Sequence, residues 1–210
     1  MKKKIIVLII ATICIVGVAF LAWPLANITE VWLKRLFSVL PNLTNGAIAV
    51  VAIKLTGVEI GIELKNYWQY LIGLGVALVL SLGVAFIPAW CGTSLVGNHT
   101  DFNLATLIYS FFFYLLVIGP VEEMIFRVYY QETFISFFSK NKWIGVLIAA
   151  AIFGLYHIIN GSWLQVLFTF GFGLVFGFSK YFINKFKYLG LSFCHGLYDF
   201  LNVIVRMFVI

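Results

Sequence analysis

The chain is short of charge. Asp, Glu, Lys and Arg together make up only 10% of its 210 residues, against about 25% in a soluble globular domain. Too few ionic side chains are present to coat a water-facing surface. Cysteine is scarce as well: Cys14, Cys91 and Cys194 are odd in number, widely spaced and without a CxxC pair, which argues against a disulfide framework and against a thiolate metal site. They read as small apolar packing residues. Internal repeats and low-complexity tracts are not visible. The net charge of +6 comes from Lys and Arg scattered through short segments between apolar runs. No basic stripe forms, so nucleic acid is excluded as a partner and the cations read as topology signals.

What the chain has in quantity is hydrophobicity, with 63% apolar residues and a mean hydropathy of +1.06. A crossing takes about 20 apolar residues, so the length leaves room for about six to eight spans. The fold class expected is all-α, a polytopic transmembrane helix bundle with a catalytic cluster in its core. Lys2, Lys3 and Lys4 precede an apolar run to about Ala22; without a clear small-x-small cleavage site it reads as a retained first span rather than a signal peptide. Residues 29–36 carry Glu30, Lys34 and Arg35 and read as interfacial. Residues 37–57 are apolar but interrupted by Pro41, Asn42 and Asn45, and make a weak second span.

Stronger runs at about 69–90, 104–130, 143–160, 163–180 and 189–210 bring the expected total to seven. Lysines at 2–4, 54, 65, 140, 142, 180, 185 and 187 then fall on one side, while the loop at 91–103 and a tight turn at Asn160-Gly161-Ser162 carry no Lys or Arg. By the positive-inside rule the N-terminus is cytoplasmic. Lys34, Arg35 and Arg206 run against this pattern. Trp68, Trp90, Trp143 and Trp163 mark span ends, as interfacial anchors do. The organisation expected is a single membrane domain, with residues 1–68 as N-terminal spans and interfacial segment and residues 69–210 as the core.

Of the eleven acidic residues and histidines in the chain, Glu122, Glu123, His157, His195 and Asp199 lie inside or at the edge of these runs. A charge at the bilayer centre costs at least about 2.5–3.5 kcal/mol, so such residues are rare unless paired or lining a cavity. Glu122-Glu123-Met124-Ile125-Phe126-Arg127 follows Gly119-Pro120, a dipeptide suited to a kink. Glu123 and Arg127 are four apart and can pair along one helix face; Glu122 points about 100° away, left to take a proton. An ordinary interfacial Glu-Arg pair would look much the same. His157 ends Phe153-Gly154-Leu155-Tyr156-His157, and taken alone it reads first as a packing residue. His195 and Asp199 stand one turn apart on a common face, where a carboxylate can orient an imidazole, ligate a metal or relay protons. The three elements together supply a base, two imidazoles and an orienting acid from different helices of a bundle.

The ordered triple EExxxR, FxxxH and HxxxD on successive apolar segments resembles the three motifs of the CPBP intramembrane proteases, the family of the CAAX prenyl proteases and the bacterial Abi-type proteins. The resemblance covers about residues 105–205. It implies an intramembrane endopeptidase in which Glu122 and His157 activate a water for attack on a peptide carbonyl, Glu123 and Arg127 hold the helix in shape, and His195 with residue 199 stabilises the oxyanion. Where CAAX proteases usually carry Asn, this chain has Asp199; an ionised carboxylate has no proton to donate, so Asp199 is either protonated or serves to orient His195 or bind a cation. The family has also been described as metalloproteases, which makes Glu122, His157 and His195 the ligand set if zinc is used. Without HExxH spacing, a metal-free site with no cofactor is the expectation, and zinc the alternative. The partners implied are a peptide or membrane-protein substrate and membrane lipid, and the setting implied is a bacterial plasma membrane. Abi-type relatives bring in a competing function, bacteriocin self-immunity by binding without turnover. A proton-coupled carrier is a third reading, disfavoured because carriers are usually built from repeats.

Overall fold

Backbone hydrogen bonds have no partner in hydrocarbon other than the chain itself, so a sequence this apolar must form helices throughout or close a barrel. The computed structural model, which describes residues 1–159 and 161–210, forms helices. Seven are long and apolar enough to cross a membrane: Lys2–Leu25, Val31–Thr56, Trp68–Trp90, Leu104–Phe137, Lys142–Ile159, Trp163–Phe182 and Tyr188–Phe208. No strand occurs among the described residues. The protein is an integral membrane protein of the all-α, polytopic class. Trp68, Trp90, Trp143 and Trp163 stand at or next to span ends and are all exposed. Asn160, at the tight turn expected between the fifth and sixth spans, lies outside the described residues.

The second span is stronger than its sequence suggests. Residues 31–36, expected at an interface, are continuous with the apolar run in one helix from Val31 to Thr56 that passes straight through Pro41. Proline removes one backbone donor from the ladder. Side-chain amides and hydroxyls of the same turns bind the nearby carbonyls, as transmembrane helices commonly allow: Asn42 Nδ2 donates to Ser38 O at 2.8 Å and Ser38 Oγ to Arg35 O at 2.7 Å. Asn42 and Ser38 thus direct their polar groups to carbonyls of their own helix.

The chain divides into two compact units, one of Met1–Gly61 with Val121–Asn184, the other of Ile62–Pro120 with Lys185–Ile210. In the first unit, the fifth and sixth spans meet through glycine. A Cβ on Gly173 would lie 3.0 Å from Ala150 Cα, and one on Gly177 would lie 2.8 Å from Val146 Cγ1. Bare backbone at these points lets helices approach closely, which replaces the hydrophobic drive that lipid does not supply. In the second unit, Gly73 and Gly190 serve the third and seventh spans in the same way, with Gly190 O only 2.7 Å from a Cβ built on Gly73. Gln69 Oε1 accepts the Gly190 amide at 3.0 Å. Gly196 packs directly on the backbone of Tyr114 and Leu115, inside the π-helical stretch Tyr114–Ile118.

Adding one methyl group at that last contact forces backbone apart. Gly196→Ala is expected to lower unfolding stability in detergent by about 1–3 kcal/mol, whereas Gly17→Ala, where a Cβ meets nothing, leaves it unchanged. Thermal or denaturant unfolding of the two variants beside wild type checks this.

Candidate active site

The fourth span starts at a well-formed cap, the Asn103 side chain accepting from Thr106 N at 2.9 Å. Halfway along it reaches Gly119-Pro120. In the second unit, Gly119 packs on the backbone of Ser192 and Gly196, and Tyr188 Oη donates to Pro120 O at 3.1 Å. The α-helical turn Gly119–Glu123 gives way to a π-helical stretch over Met124–Tyr130. Such stretches recur at functional sites because the wider turn re-aims side chains.

In the first unit the two adjacent glutamates, in the α-helical turn before this stretch, face different ways. Glu123 is fully buried and faces Arg127, carboxylate to Nε 3.3 Å. The guanidinium lies 4.2 Å from the ring centre of Phe153 and 5.5 Å from that of Phe176, a stacking for which the flat, weakly hydrated arginine head is suited and lysine is not. One turn on, Lys180 of the sixth span donates to Arg127 O at 2.7 Å and pairs with Glu132. Two cations are thus tied to the π-helical stretch by specific partners.

Glu122 faces the other way, its Oε2 3.9 Å from Nε2 of His157. Both side chains keep a little exposure, 11% and 20%, whereas Glu123 keeps none. His157 falls in the short 3₁₀ turn that closes the fifth span. Its Nδ1 lies 2.8 Å from Phe153 O. A carbonyl oxygen can only accept, so Nδ1 carries the hydrogen, and in the neutral ring Nε2 presents a lone pair toward Glu122. The same Phe153 therefore holds both functional elements, its ring under Arg127 and its carbonyl on His157. Its ring also packs edge-on against His157, with centroids 4.8 Å apart.

The second unit holds the third element. His195 is buried in the seventh span, and its Nε2 is 3.6 Å from Asp199 Oδ2. Of the six residues singled out in the sequence, the structure brings Glu122 to His157 and Glu123 to Arg127 in one unit, and His195 to Asp199 in the other. A catalytic zinc takes three protein ligands at about 2 Å. Within each unit, no three His, Cys, Asp or Glu side chains among the described residues group to hold a metal ion. Glu122 and His157 are two ligands of the proposed three, and His195 belongs to the other unit, so neither unit alone fits the ion.

Two residues beside Glu122 and His157 were not anticipated. Tyr156 and Asn45 meet through a hydrogen bond, Asn45 Nδ2 to Tyr156 Oη, at 3.1 Å. The signal for Asn45 was on view as a lone amide inside an apolar run, where it registered only as an interruption.

The segment that carries this geometry is similar to a known family. Residues 104–201 match the family described as type II CAAX prenyl endopeptidase, Rce1-like. Over these residues the chain is similar to the type II CAAX prenyl endopeptidases. The match runs from the fourth span into the seventh and contains all six residues above; the first three spans lie outside it. It implies a protease working in a membrane. No curated protein and no solved structure matches the chain.

Burying Arg127 without its counter-ion is costly. Arg127→Met is expected to destabilise the protein by about 3–5 kcal/mol, and Glu123→Met/Arg127→Met, which removes both charges, to recover most of that loss. Unfolding midpoints of the single and double variants in one detergent decide the matter.

Proposed function

We propose that the protein is an intramembrane endopeptidase that hydrolyses a peptide bond of a peptide or membrane-protein substrate with a water activated by Glu122 and His157. The observation that carries this reading is the facing pair itself: a carboxylate oxygen and an imidazole nitrogen 3.9 Å apart, on side chains that keep a little exposure while the neighbouring Glu123 keeps none. Two acceptors at that distance favour a water between them, donating one hydrogen to each. Attack of its oxygen on the scissile carbonyl passes a proton to Glu122 and forms a tetrahedral oxyanion. The same proton then moves to the leaving nitrogen, the C–N bond breaks, and the new carboxylic acid gives its remaining proton to the amine, so that a carboxylate and an ammonium are released.

His195 is the donor proposed for the oxyanion. Asp199, when ionised, can only accept, so its part is to hold the His195 ring in register, the role that the 3.6 Å separation allows. Glu123 and Arg127 fix the helix that presents Glu122. No metal is needed for this chemistry. The lysine pattern supports an N-terminus on the cytoplasmic side of a bacterial plasma membrane.

The test compares purified wild type, Glu122→Ala and His157→Ala, matched in melting behaviour, on a library of membrane peptides with and without a chelator. Each substitution is expected to lower cleavage by about 10²–10⁴-fold, and the chelator to leave wild type unaffected. Undiminished cutting by Glu122→Ala contradicts the reading, and loss of wild-type cutting on chelation moves Glu122, His157 and His195 into a metal site. If biological activity is the same in Glu122→Ala and wild type, binding without turnover replaces proteolysis.

A further inference from the structure

The first unit contains a polar contact that the matched family segment does not include. Asn45 is 2% exposed, in the middle of the second span, where an amide is expensive unless it is bonded. Its partner is the hydroxyl of Tyr156, the residue before His157. The adjacent residue, Gly46, meets the other half of the pair: a Cβ there would lie 3.1 Å from Cγ2 of Val121, the residue before Glu122. Two consecutive positions of one helix therefore bear on the neighbours of both Glu122 and His157. Tyr156 completes the connection from its own side, its ring 5.4 Å from Phe126, one turn beyond Glu122, and 5.9 Å from the His157 ring. The phenol also lies within electrostatic reach of the Glu122 carboxylate.

We infer that Asn45 is a positioning residue: acting through Tyr156, it fixes the separation between Glu122 and His157. The second span, outside the matched segment, is thereby part of the working site. The hydrogen bond is a specific element of this contact, and it holds the residue that leads into a short 3₁₀ turn lacking the ladder of a full helix. Without it, apolar packing would still hold the second span in place, while the turn carrying His157 would keep its tie to Phe153 and lose the one to the second span. The consequence for turnover rests on the protease reading; the positioning itself does not.

The variants that test this are Asn45→Leu, Tyr156→Phe and the double Asn45→Leu/Tyr156→Phe. Each single change strands one buried polar group, whereas the double removes both and is expected to restore the melting temperature toward wild type. A merely structural bond predicts that function returns with stability. A positioning bond predicts that it does not. Two readouts separate them. With heavy carbon in glutamate carboxyls and heavy nitrogen in histidine rings, solid-state NMR measures the Glu122–His157 dipolar coupling, identified by its loss in Glu122→Gln. The double variant is expected to lengthen that distance by about 0.5 Å or more, the tolerance of a productive site. In cleavage, its kcat is expected to fall about 10–100-fold with KM nearly unchanged. A coupling identical to wild type in the stable double variant overturns the inference, whatever the protein cleaves. An altered coupling in a protein whose wild type cuts nothing upholds the positioning and removes only the protease reading.

Discussion

Arg127 carries a permanent positive charge at a point where only 1% of its surface is exposed, in a chain whose medium is hydrocarbon. Isolated, such an ion would be prohibitive. Its solution is threefold: a carboxylate one turn away, an aromatic ring 4.2 Å from the guanidinium carbon and a second ring behind it. That solution fixes which way the π-helical stretch turns and which glutamate is spent on the arginine. Glu123 is consumed by it. Glu122, one residue back, is directed to His157 by the same constraint, and Phe153, fourth residue before that histidine, is held by the ring contact. The chemistry proposed for Glu122 thus depends on a charge that takes no part in it.

The surrounding packing serves the same end by other means. Lipid gives helices no hydrophobic reason to associate, so they must touch closely or bond across. The first unit does both, with glycines at the contact of the fifth and sixth spans and with the hydroxyl and amide bonds that tie the first and second spans to Tyr130 and Tyr156: Thr12 to Tyr130 at 2.8 Å, Asn45 to Tyr156 at 3.1 Å. The second unit relies on glycine-to-backbone contacts around His195, at Gly119, Gly190 and Gly196. Small residues adjoin both histidine motifs at points of close approach: a Cβ on Gly154 would meet Val166 O and one on Gly196 would meet Tyr114 O.

How much of this was legible beforehand follows from the range of each interaction. The number of spans and five of their courses could be read from apolar runs, because the thickness of a bilayer sets a length that composition reports directly. The Glu123–Arg127 pair could be read because its partners are four residues apart on one helix. The second span could be read only weakly: Pro41, Asn42 and Asn45 lower its hydropathy, and it is the structure that shows one helix over Val31–Thr56 and Asn45 bonding across it. Asn45 and Tyr156 are 111 positions apart, a distance at which neither periodicity nor spacing has anything to say. The matched family segment, beginning at residue 104, stops short of Asn45 as well. Asp199 beside His195 was legible too, because the two are four residues apart on one helix, and the structure puts them 3.6 Å apart.

The central claim is that Glu122 activates a water rather than attacking the substrate itself. Single-turnover cleavage in water carrying heavy oxygen tests it directly, with the products and the digested protein read by mass spectrometry. Water activation places the label in the new carboxyl terminus during the first turnover and leaves the Glu122 carboxyl unlabelled. Label found in Glu122 after one turnover would mean that its own oxygen had attacked and been replaced, and the account given for the Glu122–His157 pair would be wrong.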